Sequence, residues 1–246
     1  IPSNLEHFGG EEGVLRRQAI SMALDRKQIT EKVLSGTATP VTDFAAPTIS
    51  GHSDKLKGSE NLEYNPKKAK ELWAKADAIS KFTGTFTLSY NADGDAKSLY
   101  DAMANQLKNN LGIDAATNPV PTFQEFRAAI TDRTMKSAFR TGWQADYPSI
   151  ENYLKPIFSS SAADGKGSND GDYKNPAFDK LLDEAAKASD LDAANKLYQQ
   201  AEEILLNDLP AIPLYNSNAN AVFGKSVKNV EPNWKGVPVF YEITKE

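Results

Sequence analysis

The sequence predicts an α/β fold in which helices flank a mixed sheet. Three observations lead to this prediction. Strand-like and helix-like patterns alternate along residues 85–143, capping residues mark the starts of several helices, and the composition is that of an ordinary globular protein, 40% hydrophobic and 25% charged. Strand, helix, strand, helix, strand in that order requires helical crossovers between strands that pair in parallel or mixed fashion.

The alternating region contains three strand-like segments, residues 85–90, 113–120 and 136–143. In the first segment, Phe86, Leu88 and Tyr90 alternate with polar residues. The helix between the first two segments places an apolar residue at every fourth position and ends at Gly112, a residue type that suits the left-handed C-terminal position.

Capping residues predict where the other helices begin. Thr122 with Glu125 forms a capping box before the second crossover helix, and Asp25 with Gln28 forms one that divides a helical region over residues 11–35. Polar N-caps precede three further helices, at Asn65-Pro66, Asn175-Pro176 and Asp190. The remaining expectations are an ordered loop over residues 37–63, a helix over 149–158 and an extended tail over 212–243.

Charge and composition exclude several classes of protein. The net charge is −5, and no cluster of Lys and Arg is large enough for a generic nucleic-acid backbone binder. The chain has no cysteine and only two histidines, His7 and His52, which excludes thiolate metal sites and three-histidine zinc sites. No stretch approaches the roughly 18 apolar residues of a membrane-spanning helix. The sequence predicts neither a cofactor nor a metal ion.

No enzyme motif is complete. Residues 51–54 contain half of a nucleophile elbow, but the second glycine is replaced by lysine. Residues 224–226 end like a phosphate-binding loop, but the glycine that such a loop needs upstream is missing. Two acidic stretches, residues 91–95 and 164–172, lack the ligand spacing of a calcium loop, so a solvated turn is favoured over a metal site in both.

Residues 139–148 form the most informative segment. The predicted third strand ends at Trp143, and a turn that carries Asp146 follows, at the edge of the sheet where open α/β folds bind ligands. Trp143 and Tyr147 offer flat apolar walls and Asp146 a negative charge, which suits a ligand with an ammonium group and an apolar body. A structural alternative stays open, in which Trp143 packs in the core, Asp146 caps the next helix and Arg140 is solvated.

Four motifs resemble those of one family of binding proteins, and they follow the family's order. They lie at residues 16–26 with 29 and 33–36, at 64–72, at 142–154, and at 175–182 with 209–215. The chain is similar to the second lobe of the family 5 solute-binding proteins, the dipeptide and oligopeptide receptors of bacterial ABC importers. The resemblance implies a periplasmic-binding-protein-like second lobe over residues 1–212. It implies that residues 213–246 form a hinge-crossing strand and a segment that returns toward the first lobe.

The resemblance also implies a ligand site and a mechanism. The implied ligand-binding residues are Asp146, Trp143, Arg140, Tyr147, Tyr215 and Asn216. Asp146 matches the position that pairs with the α-ammonium group of a bound peptide, and Trp143 lines the adjacent pocket. In this family the two lobes close around the solute, and the closed form docks on a permease.

The implied partners are a small peptide or another small solute and the permease subunits of an ABC importer, with no nucleic acid. The implied location is outside the cytoplasmic membrane, in the periplasm or at the cell surface, with membrane attachment only through a lipid-bearing anchor upstream of Ile1. Two alternatives stay open. One is a receptor of the same family for an oligosaccharide or a metal chelate, and the other is a hydrolase in which Asp146 acts as acid or base.

Overall fold

The computed structural model describes residues 1–246. Its α-helices are α1 (Gly10–Ala23), α2 (Arg26–Gln28), α3 (Pro66–Ile79), α4 (Lys97–Leu111), α5 (Phe123–Thr131), α6 (Glu151–Phe158), α7 (Pro176–Ala185) and α8 (Leu191–Asp208). Its strands are β1 (Ala38–Pro40), β2 (Phe86–Asn91), β3 (Ala115–Val120), β4 (Ala138–Phe139), β5 (Tyr215–Ser217), β6 (Val227–Lys228) and β7 (Thr244–Lys245). None of the helices combines the length and the apolar character that a membrane crossing requires.

The main sheet has three parallel strands in the order β3, β2, β4. Helix α4 connects β2 to β3, and α5 connects β3 to β4, so both connections are the helical crossovers that the alternating pattern predicts. Two antiparallel pairs stand apart from this sheet, β1 with β5 and β6 with β7. The predicted α/β class is confirmed. The parallel and antiparallel strand pairs lie in separate sheets and not in one mixed sheet.

The third strand is shorter than the sequence predicts. Of residues 136–143 only Ala138 and Phe139 are in the strand, so the prediction that it ends at Trp143 is wrong. Phe139 pairs with Ser89, two residues before β2 ends, and the Arg140 backbone N–H still donates to the Ser89 carbonyl at 2.9 Å. Because β2 is the only neighbour of β4, no partner backbone remains for Trp143, which lies in a loop.

Two apolar cores hold the helices in place. The larger core joins α1, α3 and α4 to the sheet, from which Phe86, Leu88 and Tyr90 are buried. The smaller core packs α6, α7 and α8 together with part of the loop before α3. The chain passes from the first core to the second along residues 140–150, between β4 and α6. This passage carries four of the six predicted ligand-binding residues.

The loop over residues 37–63 is ordered, as predicted, and lies across α8. Its leucines form a third apolar cluster with the C-terminal end of that helix, consisting of Leu56, Leu62, Leu206 and Leu209. The Ala45 backbone N–H donates to the Glu202 carboxyl group of α8 at 3.0 Å. Ala45 and Ile49 of the loop also belong to the second core.

Asp93 in the first acidic stretch and all three aspartates of the second have partners within the protein. The Phe123 backbone N–H, at the start of α5, donates to Asp93 at 2.8 Å. Three ion pairs hold the second stretch, Arg127–Asp170 at 2.7 Å, Arg133–Asp172 at 2.7 Å and Lys174–Asp164 at 2.8 Å. No group of three or more His, Asp or Glu side chains is arranged to hold a metal ion.

Candidate functional site

Arg140 lies at the carboxyl end of the sheet, directly after β4. Its side chain is exposed, and its Nη1 donates to Oδ1 of Asn91 at 3.3 Å. Asn91 is the last residue of β2 and is buried, and its amide nitrogen donates to Asp93 at 2.7 Å. Arg140 forms no ion pair with any carboxylate of the chain, so its guanidinium retains donors for an external acceptor.

Trp143 and Asp146 are held by one side chain of α6. The Oδ1 atom of Asn152 accepts from Nε1 of Trp143 at 3.1 Å and from the backbone N–H of Asp146 at 2.9 Å. Asn152 is 3% exposed, whereas Trp143 is half-buried. The indole is therefore anchored through its nitrogen, and it is not part of either core.

The Asp146 carboxylate is exposed and forms no hydrogen bond or ion pair within the chain. The structural alternative required it to cap α6. Ser149 instead supplies the acceptor for the first turn of that helix, because its Oγ accepts from the Glu151 backbone N–H at 3.2 Å. The side chain of Asp146 thus has no structural partner, although its backbone is fixed.

Tyr147 lies next to Asp146 and is 45% exposed. Its hydroxyl donates to the Glu151 carboxylate. Partial burial and this carboxylate raise the pKa of Tyr147, so the phenol is neutral at physiological pH. The ring of Tyr147 is thus partly exposed, and its hydroxyl is already engaged.

Tyr215 and Asn216 lie on β5, where they pair with Pro40 and Thr39 of β1. Both are half-buried. Tyr215 packs against the larger core, and its neighbour Leu214 lines a cleft together with Tyr100 and Arg140. Tyr215 therefore belongs to the Arg140 end of the surface.

The six predicted residues form two groups. One group is built on α6 and contains Trp143, Asp146 and Tyr147. The other lies around Tyr100 and contains Arg140 and Tyr215, with Asn216 beside it on the strand. No hydrogen bond joins the two groups directly.

A cleft of about 120 Å³ lies between the sheet and the segments 168–173 and 210–214. Most of its lining is apolar, and Arg140 is the one predicted ligand residue at its wall. The cleft and the predicted surface therefore meet at Arg140. Asp146 and Trp143 lie outside the cleft.

Two residues that position the site are absent from the sequence-based prediction. Asn91 orients Arg140, and Asn152 holds Trp143 and Asp146. Asn91 had a usable signal, because it directly follows the strand predicted over residues 85–90, at the edge where ligands bind. Asn152 had none beyond its place in a motif, since a buried asparagine in a short helix has no distinctive spacing.

Comparison with known proteins identifies the family. Residues 14–165, more than half of the chain, match the family described as bacterial extracellular solute-binding proteins, family 5 Middle. The chain belongs to this family. Arg140, Trp143, Asp146 and Tyr147 lie inside the matched region, whereas β5 lies outside it. The resemblance that the four motifs predicted is confirmed.

Curated relatives of the family 5 chain carry the names of binding proteins. Heme-binding protein A of Haemophilus influenzae is 29% identical over 238 residues, which is 95% of this chain and 42% of that protein. The periplasmic oligopeptide-binding protein OppA of Salmonella typhimurium is 32% identical over 205 residues, 81% of this chain and 36% of that protein. The chain spans about two-fifths of the length of these relatives.

Solved structures agree on the fold. The periplasmic binding protein DppA of Helicobacter pylori, solved with the peptide STSA, is 25% identical with a TM-score of 0.81, and the match covers 100% of this chain and 46% of that one. The murein tripeptide binding protein MppA of Escherichia coli has the same TM-score of 0.81 at 23% identity. The periplasmic-binding-protein-like fold is thus confirmed for this family 5 chain.

Proposed function

We propose that residues 1–212 form one lobe of an extracytoplasmic solute-binding protein that serves an ABC importer, and that its solute is a small peptide. Residues 213–246 form a hinge-crossing strand and a segment that returns toward a first lobe. Family membership and the names of the relatives support a non-enzymatic binding role outside the cytoplasm. The match to about two-fifths of those relatives supports the assignment as a lobe.

The exposed, unpartnered carboxylate of Asp146 carries the proposal of a peptide ligand. Its backbone is fixed by Asn152, and the Trp143 ring stands beside it on the same support. A peptide's α-ammonium group supplies the missing partner, and such a charge-assisted hydrogen bond contributes roughly 1.5–3 kcal/mol once water is excluded. The opposite lobe would supply that exclusion by closing over the ligand.

The test is calorimetric titration of the two-lobe protein with a library of dipeptides to pentapeptides. Asp146→Asn keeps the shape of the side chain and removes its charge. We expect it to weaken binding by about ten- to hundredfold, and N-acetylation of the peptides to do the same to the unmodified protein. The two-lobe protein is used because one lobe alone lacks half of the wall that surrounds a ligand.

Asp183→Asn is the matched control. Asp183 is also exposed and forms no hydrogen bond or ion pair, but it lies on α7, away from the proposed site. Binding that is unchanged in the Asp146 variant, or equally weakened in both variants, would contradict an ammonium contact at Asp146.

A non-peptide solute is the second candidate. The relative named as heme-binding aligns with 95% of this chain, and Arg140 has donors free for the carboxylate of an anionic ligand. If every peptide fails to bind while an anionic solute binds and Arg140→Gln abolishes that binding, this second candidate replaces the first.

A further inference from the structure

Asn152 makes two contacts through one atom. Its Oδ1 accepts from a side chain nine residues earlier, Trp143, and from the backbone of a residue six positions earlier, Asp146, at 3.1 and 2.9 Å. An amide oxygen has two lone pairs, so these two donors use its full accepting capacity. The side chain is 3% exposed, which strengthens both bonds by excluding competing water.

The loop that carries Trp143 and Asp146 has few other restraints. None of the backbone N–H groups of residues 141–147 donates to a backbone carbonyl. The next backbone bond in the chain is that of Ser149, whose N–H donates to the Tyr147 carbonyl at 2.8 Å. The conformation of the loop therefore depends on side chains of α6, and Asn152 is the one that reaches both ligand-facing residues.

Helix α6 is itself firmly held. Ile150 and Leu154, on either side of Asn152, have no exposed surface and belong to the second core. A side chain that projects from this position has little freedom to move, so the two groups it holds keep a constant separation. This fixed separation is what a ligand with an ammonium group and an adjacent apolar part requires.

We infer that Asn152 is the positioning residue of the ligand site, and that it fixes the Trp143 ring and the Asp146 backbone relative to each other as one unit. Loss of its oxygen frees both groups together and lowers ligand affinity without removing any atom that touches the ligand. The effect on affinity rests on the proposed function, whereas the coupling of the two groups does not.

The coupling is tested by hydrogen exchange measured with NMR on the 246-residue chain. We expect the Trp143 indole N–H and the Asp146 amide to be protected about tenfold or more in the unmodified chain, and both to lose that protection in Asn152→Leu. Asn152→Asp retains an accepting oxygen and gives up the amide donors, so it should keep both groups protected. Trp143→Phe assigns the indole signal among the three tryptophans.

Asn195→Leu is the matched control, because Asn195 is also a buried helical asparagine, on α8, and its side chain forms no hydrogen bond. Protection of both groups that survives in Asn152→Leu, the loss of only one, or equal losses in the control would overturn the inference.

The effect on affinity is measured with trialanine and the two-lobe protein. We expect the dissociation constant to be about tenfold larger in Asn152→Leu than in the unmodified protein. In Asn152→Asp we expect the dissociation constant to return to that of the unmodified protein. If trialanine binds to no variant while the exchange results hold, the proposed peptide function fails and the positioning role stands. If trialanine binds equally to all variants, the positioning role fails and the proposed function stands.

Discussion

Several ionisable side chains are buried, and the groups that surround them differ from one to the next. Arg26 is 4% exposed and has no carboxylate partner, and burial lowers its pKa to about 9. Its guanidinium donates to the carbonyls of Leu62 and Pro213 at 2.6 and 2.8 Å. Pro213 lies two residues before the strand that begins at Tyr215, so this buried cation ties the start of the C-terminal segment to the first core.

A second buried group contains two acids. Asp43 and Glu202 are almost fully buried, and one oxygen of Asp43 lies 2.8 Å from Nδ1 of His52. Burial raises the pKa of Asp43 to about 6, an effect that the nearby His52 partly offsets. Burial and the Asp43 charge both raise the pKa of Glu202. The folded protein therefore favours protonated carboxyl groups at this point.

This arrangement makes stability depend on pH. A carboxyl group whose pKa is higher in the folded than in the unfolded state contributes stability that is complete below the unfolded pKa and is lost as pH rises through the folded pKa. For Asp43 that window runs from 3.8 to about 6. Glu202→Gln, which is neutral at every pH, should be more stable than the unmodified chain at pH 8 by on the order of 1 kcal/mol, and the difference should shrink toward pH 4.

Urea unfolding at intervals from pH 4 to pH 8 measures this difference. Glu203→Gln is the control, because Glu203 is the next residue on α8 and is only half-buried. A constant difference across the pH range would show that folding does not change the pKa of Glu202.

At the scale of elements, the local sequence predicts where a helix begins better than it predicts which residues form the hydrogen bonds at its first turn. Asn65 caps α3 by accepting from Lys68 at 3.0 Å, and the Thr122 capping box is complete. The Asp25 cap is formed as well, but the return bond expected from Gln28 is absent. The Asp25 backbone N–H instead donates to Gln106 of α4 at 2.8 Å. A distant helix thus supplies half of a motif that the sequence places entirely in one turn.

Contact between elements also decides how much a glycine matters. Gly58 and Gly36 both have positive φ, 94° and 76°. A Cβ atom on Gly58 would lie 2.9 Å from Cβ of Leu206 on α8, whereas one on Gly36 would have no neighbour within 4 Å. We expect Gly36→Ala to cost about 1 kcal/mol through backbone strain and Gly58→Ala about 2–3 kcal/mol, because overpacking against α8 is added.

The free energy of unfolding of both variants, measured in urea, tests this expectation. Equal losses would mean that the loop over residues 37–63 moves away from α8 without cost, and would contradict its assignment to the second core.

At the scale of the whole molecule, the C-terminal segment differs from the rest. β5 pairs with β1, but the chain after it exposes large apolar side chains, among them Val222, Phe223, Phe240 and Tyr241. One side-chain hydrogen bond, from Gln144 to the Lys235 carbonyl at 3.1 Å, joins this part to the site loop. An exposed apolar segment of this kind is a surface for another domain or for self-association.

Removal of residues 219–246 should therefore leave the two cores intact. We expect the unfolding temperature to change by no more than about 2 °C, because few buried contacts are lost, and self-association to decrease. Scanning calorimetry and sedimentation velocity measure the two effects. The double variant Phe240→Ser with Tyr241→Ser should reduce self-association without shortening the chain. A fall of more than about 5 °C on truncation would show that this segment is part of the lobe's own fold.

The sequence alone determined the α/β class, the starts of most helices, the family and the region that contains the candidate site. These features depend on spacings of a few residues. Examples are the distance along the chain from a capping residue to the N–H group that donates to it, and the period at which apolar residues recur on one face. The tertiary structure decided where β4 ends, because that depends on where its backbone stops pairing with β2. It also decided that Asp146 does not cap α6, that Gln106 completes the Asp25 turn and that Asn152 holds both Trp143 and Asp146. Each of these features depends on which side chains come within hydrogen-bond distance when the elements pack together. The spacing of residues along the chain does not determine those contacts.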